Sequence, residues 1–208
     1  MKIGILGAGN VGATLGRGWA AQGHDIVFGV RDPDDPKYAE LRTGRNMRVG
    51  IASEAGGFGE VVVIATPWPT TKEAVQSAGD LSGKIVIDCT NPLKADYSGL
   101  TIGHDTSAAE QIAGWAPGAR VCKSFNHTGA NNMANPQFAG GRAVMFVCGD
   151  DPDARAVTRR LAEELGFETV DAGNLVIARL LEPLAMLWIN LAFAQGLGRD
   201  FAFALLKR

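Results

Sequence analysis

The chain has 208 residues, enough for one medium-sized domain, a buried core and a small appendage. Apolar residues make up 46% and charged residues 20%, a balance that excludes a disordered or fibrous chain. The formal net charge of −2 provides no electrostatic footprint for nucleic acid, so no such partner is expected.

The N-terminus, MKIGILGAG, runs straight into a strand and a turn without a basic leader or cleavage site, which reads as a cytoplasmic protein. The turn GILGAGNVG places Gly7, Gly9 and Gly12 in G-x-G-x-x-G spacing, and Ala8 lies between the first two. A strand before it, a helix after it (NVGATLGRGWAAQG) and a second strand at the right distance make it a dinucleotide fingerprint. Gly7 permits the tight turn, Gly9 lets backbone approach a pyrophosphate, and Gly12 lets helix and strand pack. The amides of Asn10 and Val11 would point at the phosphates from the helix start. His24, just before the second strand, reads as solvated.

The second strand, DIVFGV, ends at Val30, where an NAD enzyme carries an acid. Valine cannot accept from ribose hydroxyls. Arg31 can pair with a 2′-phosphate in a charge-assisted fork, and Lys37 is within reach of the same phosphate. The preferred reading is therefore NADP. The competing one uses Asp32 as the ribose acceptor, although Asp32-Pro33 has the chemistry of a turn or cap.

A weaker strand, RVGI, precedes EVVVIAT, whose end is Thr66-Pro67-Trp68-Pro69. Trp68 is equally a wall for the nicotinamide or a packing residue. The helix PTTKEAVQSAG follows, then KIVIDCT, which ends in Asp88-Cys89-Thr90-Asn91-Pro92. Pro67 and Pro92 stiffen these loops, which lie where a doubly wound sheet binds its ligand. His104 reads as structural. SAAEQIAGWA begins with a capping box, Ser107 and Glu110.

The strand ARVCKSFN leads into the turn Asn126-His127-Thr128-Gly129 and Ala130. His127 is the one histidine expected at the carboxyl edge of the sheet, a candidate for lining a substrate site and a weak candidate for proton transfer. AVMFVCG is the next strand. DPDARAVTRRLAEELG is a helix capped by Asp151, with Pro152 at its first position and Gly166 past its end. FETVDA closes the strand–helix alternation.

That alternation predicts an α/β fold, a Rossmann-type doubly wound and mostly parallel sheet over residues 1–172. An all-helical tail over 173–208 is the small C-terminal unit. Its apolar stretch from Pro183 to Ala194 is shorter than the roughly 20 residues a spanning helix needs, and reads as a core or dimer-interface helix rather than a membrane segment. Cys89, Cys122 and Cys148 sit in apolar runs without a CxxC pair, so neither a disulfide nor a metal site is expected. No side chain stands out as an obligatory acid or base, which suits a redox ring that exchanges hydride directly and needs mainly orientation and exclusion of water.

The segments GILGAGNVGATLG, FGVRDP, IATPWP, KSFNHTGANNMANP, CGDDPDA and DAGNLVIARLLEPLAMLWINLA together resemble the NADPH-dependent coenzyme F-420 reductases (F-420:NADP oxidoreductases) along essentially the whole chain. The resemblance implies hydride transfer between NADP(H) and a deazaflavin or flavin-like acceptor, and a homodimer built partly by the C-terminal unit. By position it implies that Asn10, Val11, Arg31, Thr66, Pro67, Asn91 and Ala130 touch NADP. Asn126, His127, Thr128 and Gly129 would face the acceptor. The family's serine before the phosphate-reading arginine is Val30 here, one hydroxyl contact fewer. A ferric or metal reductase domain like the soluble part of the STEAP reductases, and a non-catalytic NADP(H) sensor, are the alternative readings.

Overall fold

The computed structural model describes all residues, Met1–Arg208. Short β-branched runs form the strands β1 (Lys2–Leu6), β2 (Asp25–Gly29), β3 (Met47–Gly50), β4 (Val61–Ile64), β5 (Ile85–Asp88) and β6 (Arg120–Lys123). A hairpin of β7 (Gln137–Phe138) and β8 (Gly141–Arg142) precedes β9 (Val144–Gly149) and β10 (Glu168–Gly173). The eight-stranded sheet has the order β10-β9-β6-β5-β4-β1-β2-β3. All neighbours are parallel except β6 and β9, which pair antiparallel. The sheet is therefore mostly parallel, as expected, and β9 enters from the edge at which β1, β4, β5 and β6 end.

Helices cover both faces: α1 (Asn10–Ala21), α2 (Ala39–Thr43), α3 (Ala52–Phe58), α4 (Trp68–Ser77), α5 (Ala108–Trp115), α6 (Ala130–Ala134), α7 (Pro152–Glu164) and α8 (Ala178–Ile189). Alternate strand side chains feed two cores. Ile3, Ile5, Val61 and Val63 join Trp19, Phe28 and Phe167 on one face, while Leu6, Val62 and Ile64 join Val75 and Ile112 on the other. Asp151 caps α7 by accepting from Ala154 N–H at 2.7 Å, as its sequence predicts.

Three expectations need correction. The capping box of α5 is half formed: Ser107 Oγ accepts from Glu110 N–H, but the Glu110 carboxylate takes the Ser107 hydroxyl and the Arg179 guanidinium instead of a backbone amide. His24 is buried rather than solvated, with Nε2 2.7 Å from Glu164 Oε2 on α7. The tail is helical only to Ala194, where α8 ends in a π-helical turn, Asn190–Ala194.

Beyond that turn the chain returns across the carboxyl edge. Val144 N–H donates to Phe203 O at 2.9 Å, Trp188 Nε1 donates to Phe201 O at 3.0 Å, and Trp188 stacks on Phe201. Leu175–Ala194 is a continuous run of 20 residues with mean hydropathy 1.6, longer than the sequence stretch suggested and sufficient by length and composition to cross a membrane. Its inner face nonetheless extends the second core through Leu175, Ala178 and Leu181.

Candidate active site

The three glycines after β1 have three different surroundings. Gly7 has φ of +97°, and its amide donates to Gly29 O at 2.9 Å. A Cβ on Gly12 would stand 2.1 Å from the Gly7 carbonyl oxygen, so the helix packs on the turn backbone to backbone. A Cβ on Gly9 would meet nothing within 4 Å. Gly9 is therefore open to the cavities beside it. α1 starts at the next residue, with no side-chain cap and no acid in its first turn. Its free amides and the positive end of its dipole face that opening. A pyrophosphate fits this cradle.

Three cavities meet at Gly9. The first, about 420 Å³, runs from Gly7, Ala8 and Gly9 past Val30 and Arg31 to Thr66 and Pro67. Arg31 is exposed at its mouth. Asp32 does not line it; its Oδ1 accepts from Asp34 N–H at 3.1 Å in a local turn. The second, about 580 Å³, is lined by Ala8, Asn10, Lys37 and Ala130. Lys37 thus opens onto a different cavity from Arg31, and it is paired with Asp35 at 2.6 Å. The third, about 610 Å³, is walled by Asn10, Val11, Thr66, Pro67, Trp68 and Asn91. Trp68 lines this cavity, and its ring also stacks on Trp115 at 5.4 Å.

Sequence reasoning missed several lining residues: Tyr38 and Glu73 in the first cavity, Arg17 and Arg199 in the second, Lys94 and Tyr97 at the exposed rim of the third. Arg199 carries no local signal, because the returning tail brings it there. Among groups that hold or move protons, the third cavity adds Cys89, whose thiol burial holds well above its ordinary range, with Asp88 adding to the effect.

Pro92 and the Asn126–Gly129 turn sit elsewhere. Pro92 is buried and lines none of the larger cavities; its carbonyl accepts from Thr101. Phe125, buried, has φ of +56°, a left-handed conformation costly for an aromatic residue. It turns the chain so that Asn126 Nδ2 donates to both Asn91 Oδ1 at 3.0 Å and Leu181 O at 2.9 Å, while Asn91 Nδ2 donates to Asn126 O at 2.8 Å. Thr128 accepts from Asn132, and Trp188 covers Gly129.

His127 is 1% exposed, and its Nε2 donates to Val144 O at 3.2 Å. Burial pulls its pKa down to about 4 against the opposing pull of that bond, so the ring is neutral at pH 7. His127, expected to line a substrate site, lines none of the three cavities that meet at Gly9. Together with its neighbours it forms a floor closed by β9 and the returning tail.

Beneath this floor lies an ion network that sequence reading did not single out. Lys123 Nζ is 2.8 Å from Asp88 Oδ2 and 2.9 Å from Glu182 Oε1, and all three side chains are buried. Glu182 also accepts from the first amides of α5, Ala108 and Ala109. Burial alone would lower the Lys123 ammonium, but the two carboxylates outweigh it and hold its pKa above the lysine range. Burial raises the Glu182 carboxyl, with Lys123 opposing. The network fastens α8 to the ends of β5 and β6.

A glycine cradle at the β1–α1 turn and cavities along the carboxyl ends define a Rossmann-type, dinucleotide-dependent protein. Residues 2–92 match the family described as NADP oxidoreductase, coenzyme F-420-dependent. A crystal structure from Arthrobacter sp. FB24, provisionally assigned as an F-420-dependent NADP-reductase, superposes with a TM-score of 0.91 at 32% identity, covering 100% of both chains. The F-420-dependent NADP reductase of Methanothermobacter marburgensis is 29% identical over 92% of each chain. Metalloreductase STEAP3 of Rattus norvegicus is 30% identical over 89% of this chain, which spans only 36% of that protein's length. The chain belongs to the coenzyme F-420-dependent NADP oxidoreductase family and is an NADP-dependent oxidoreductase.

Proposed function

We propose that this protein passes hydride between NADP(H) and a deazaflavin, coenzyme F-420, or a flavin-like ring. The observation that carries the reading is the open space at Gly9, joined on one side to the Arg31 cavity and on the other to the cavity walled by Trp68 and Asn91. NADPH supplies the hydride. The chain's own part is to hold phosphate at the α1 amides, to read a 2′-phosphate with Arg31, and to present a flat cavity wall that excludes water. The withdrawal of Asp32 into its own turn supports NADP over NAD.

The exposed apolar residues Leu180 and Leu187 of α8, with Phe193 in the π-helical turn after it, support a homodimer. A small-molecule redox acceptor, a cytoplasmic location, and no nucleic-acid or membrane partner complete the reading. The engagement of Glu182 in the buried network supports packing of that helix on the domain rather than in lipid.

Stopped-flow oxidation of NADPH with F-420, FMN, FAD, quinones and ferric chelates side by side tests the proposal. Fast oxidation by F-420 or a flavin is expected. Turnover with ferric chelate alone would favour the metalloreductase reading that the STEAP3 likeness raises. Tight NADPH binding without any turnover would favour a sensor.

A further inference from the structure

Thr90 follows β5 and forms part of the wall of the cavity shared by Gly9, Trp68 and Asn91. It is 3% exposed, and its hydroxyl has no hydrogen-bond partner; His24 Nδ1 is the one other buried side-chain atom of which this is true. A buried hydroxyl without a partner keeps the full cost of its lost hydration. A partner from outside the chain would satisfy it once a turn about χ1 brings the oxygen, closed off in this conformation, to the cavity.

The backbone of the same residue is held on both sides. Thr90 N–H donates to Asp88 Oδ1 at 2.7 Å, and its carbonyl accepts from Lys123 Nζ at 2.5 Å. Both groups belong to the buried ion network, which α8 completes through Glu182. Thr90 therefore cannot relieve its hydroxyl by moving the main chain. Its neighbours on that strand end are committed: Asn91 is tied twice to Asn126, and Cys89 is a buried thiol.

We propose that Thr90 is a further binding residue of this site, its hydroxyl pairing with the nicotinamide riboside half of the dinucleotide. The proposal rests on the NADP(H) reading. β1 lies between β2 and β4 in the sheet, with β5 beyond β4. A dinucleotide that crosses this point with its adenosine half beside Arg31 brings its other half over β4 and β5. A threonine hydroxyl both donates and accepts, which suits the ribose hydroxyls and the carboxamide that this half carries.

Thr90→Val, close in shape, tests it by calorimetry with two probes. NADPH carries both halves and 2′,5′-ADP only the adenosine half. NADPH is expected to bind Thr90→Val roughly five- to tenfold more weakly, 2′,5′-ADP to bind as in wild type, and Thr90→Ser to recover NADPH binding. The ligand-free melting temperature of Thr90→Val should hold or rise, since an unpaired hydroxyl is removed. Unchanged NADPH affinity in Thr90→Val, beside normal wild-type binding of both probes, overturns the Thr90 assignment alone. An equal loss for both probes overturns it too, because the change then acts through the fold. Wild type that binds neither probe overturns the NADP(H) reading itself, and this assignment with it.

Discussion

The carboxyl edge of the sheet has two halves built on opposite principles. On the β1–β2 side, backbone does the work: Gly7 turns, Gly9 stays open, Gly12 packs, and the polar side chains Arg31 and Lys37 stand in solvent. On the β5–β6 side, side chains do it: Lys123, Asp88, Glu182, Asn126 and His127 are buried and answered by one another or by carbonyls. The open half is suited to receive a charged, flexible ligand. The closed half is suited to hold the opposite wall still, and it fastens the C-terminal helix to the sheet at the same points. A polar residue at a strand end therefore has two quite different fates, which depend on whether other chain segments cover it.

The largest effect expected from this contrast is in the closed half. Lys123→Met leaves Asp88 and Glu182 facing each other without a cation, and should cost about 3–5 kcal/mol of stability in urea denaturation. A loss under about 1 kcal/mol would mean that the network is not closed to water.

Next comes His127. Its folded pKa of about 4 lies below the ordinary 6.5, so between those values the unfolded chain binds a proton that the native chain does not. Stability should fall as pH drops through that window, by roughly 3 kcal/mol in all, and this contribution should level off below pH 4. His127→Asn should flatten that slope while leaving NADPH affinity intact and slowing turnover less than about tenfold. A vanished acid limb in the rate profile, with turnover collapsed, would restore His127 as a proton carrier.

In the open half, Gly12→Ala and Gly9→Ala should separate fold from binding. The first drives a methyl into the Gly7 carbonyl and should cost about 1–3 kcal/mol of stability. The second enters empty space and should leave the melting curve nearly unmoved while weakening NADPH. Equal destabilisation by both would mean that the Gly9 opening is not a ligand cradle.

The smallest effect belongs to Arg31→Ala, which should weaken NADPH roughly 10- to 100-fold and leave NADH nearly unchanged. Equal losses for the two cofactors would remove the 2′-phosphate from Arg31.

Much of the open half was legible in the chain itself. Each β-branched run proposed as a strand lies in the sheet, and the glycine spacing led to a turn whose three positions behave differently for the reasons given. Arg31 and Asp32 separated as their neighbours suggested, Asp32 into a local turn. The closed half was read less well. Asn126 and His127 look like site residues from their place after β6, yet β9 arrives antiparallel and offers Val144 O to His127, and the returning tail settles over them. Lys123 reads as a charge at a strand end. Only its partners, 35 residues back in Asp88 and far ahead in Glu182, make it a buried one.

By itself, then, the sequence determined what depends on local backbone chemistry: the strand runs, the glycine turn, the cap on α7, and the absence of an acid where NAD enzymes carry one. Positive φ, side-chain periodicity and capping are set by residues within a turn or two of one another. The tertiary structure alone decided which polar groups are spent on the fold and which remain free for a ligand. That depends on pairings across the sheet and on the path of the tail, contacts between segments far apart in the chain. Thr90 marks the boundary: both of its backbone groups are taken by the buried network, and its hydroxyl is left over.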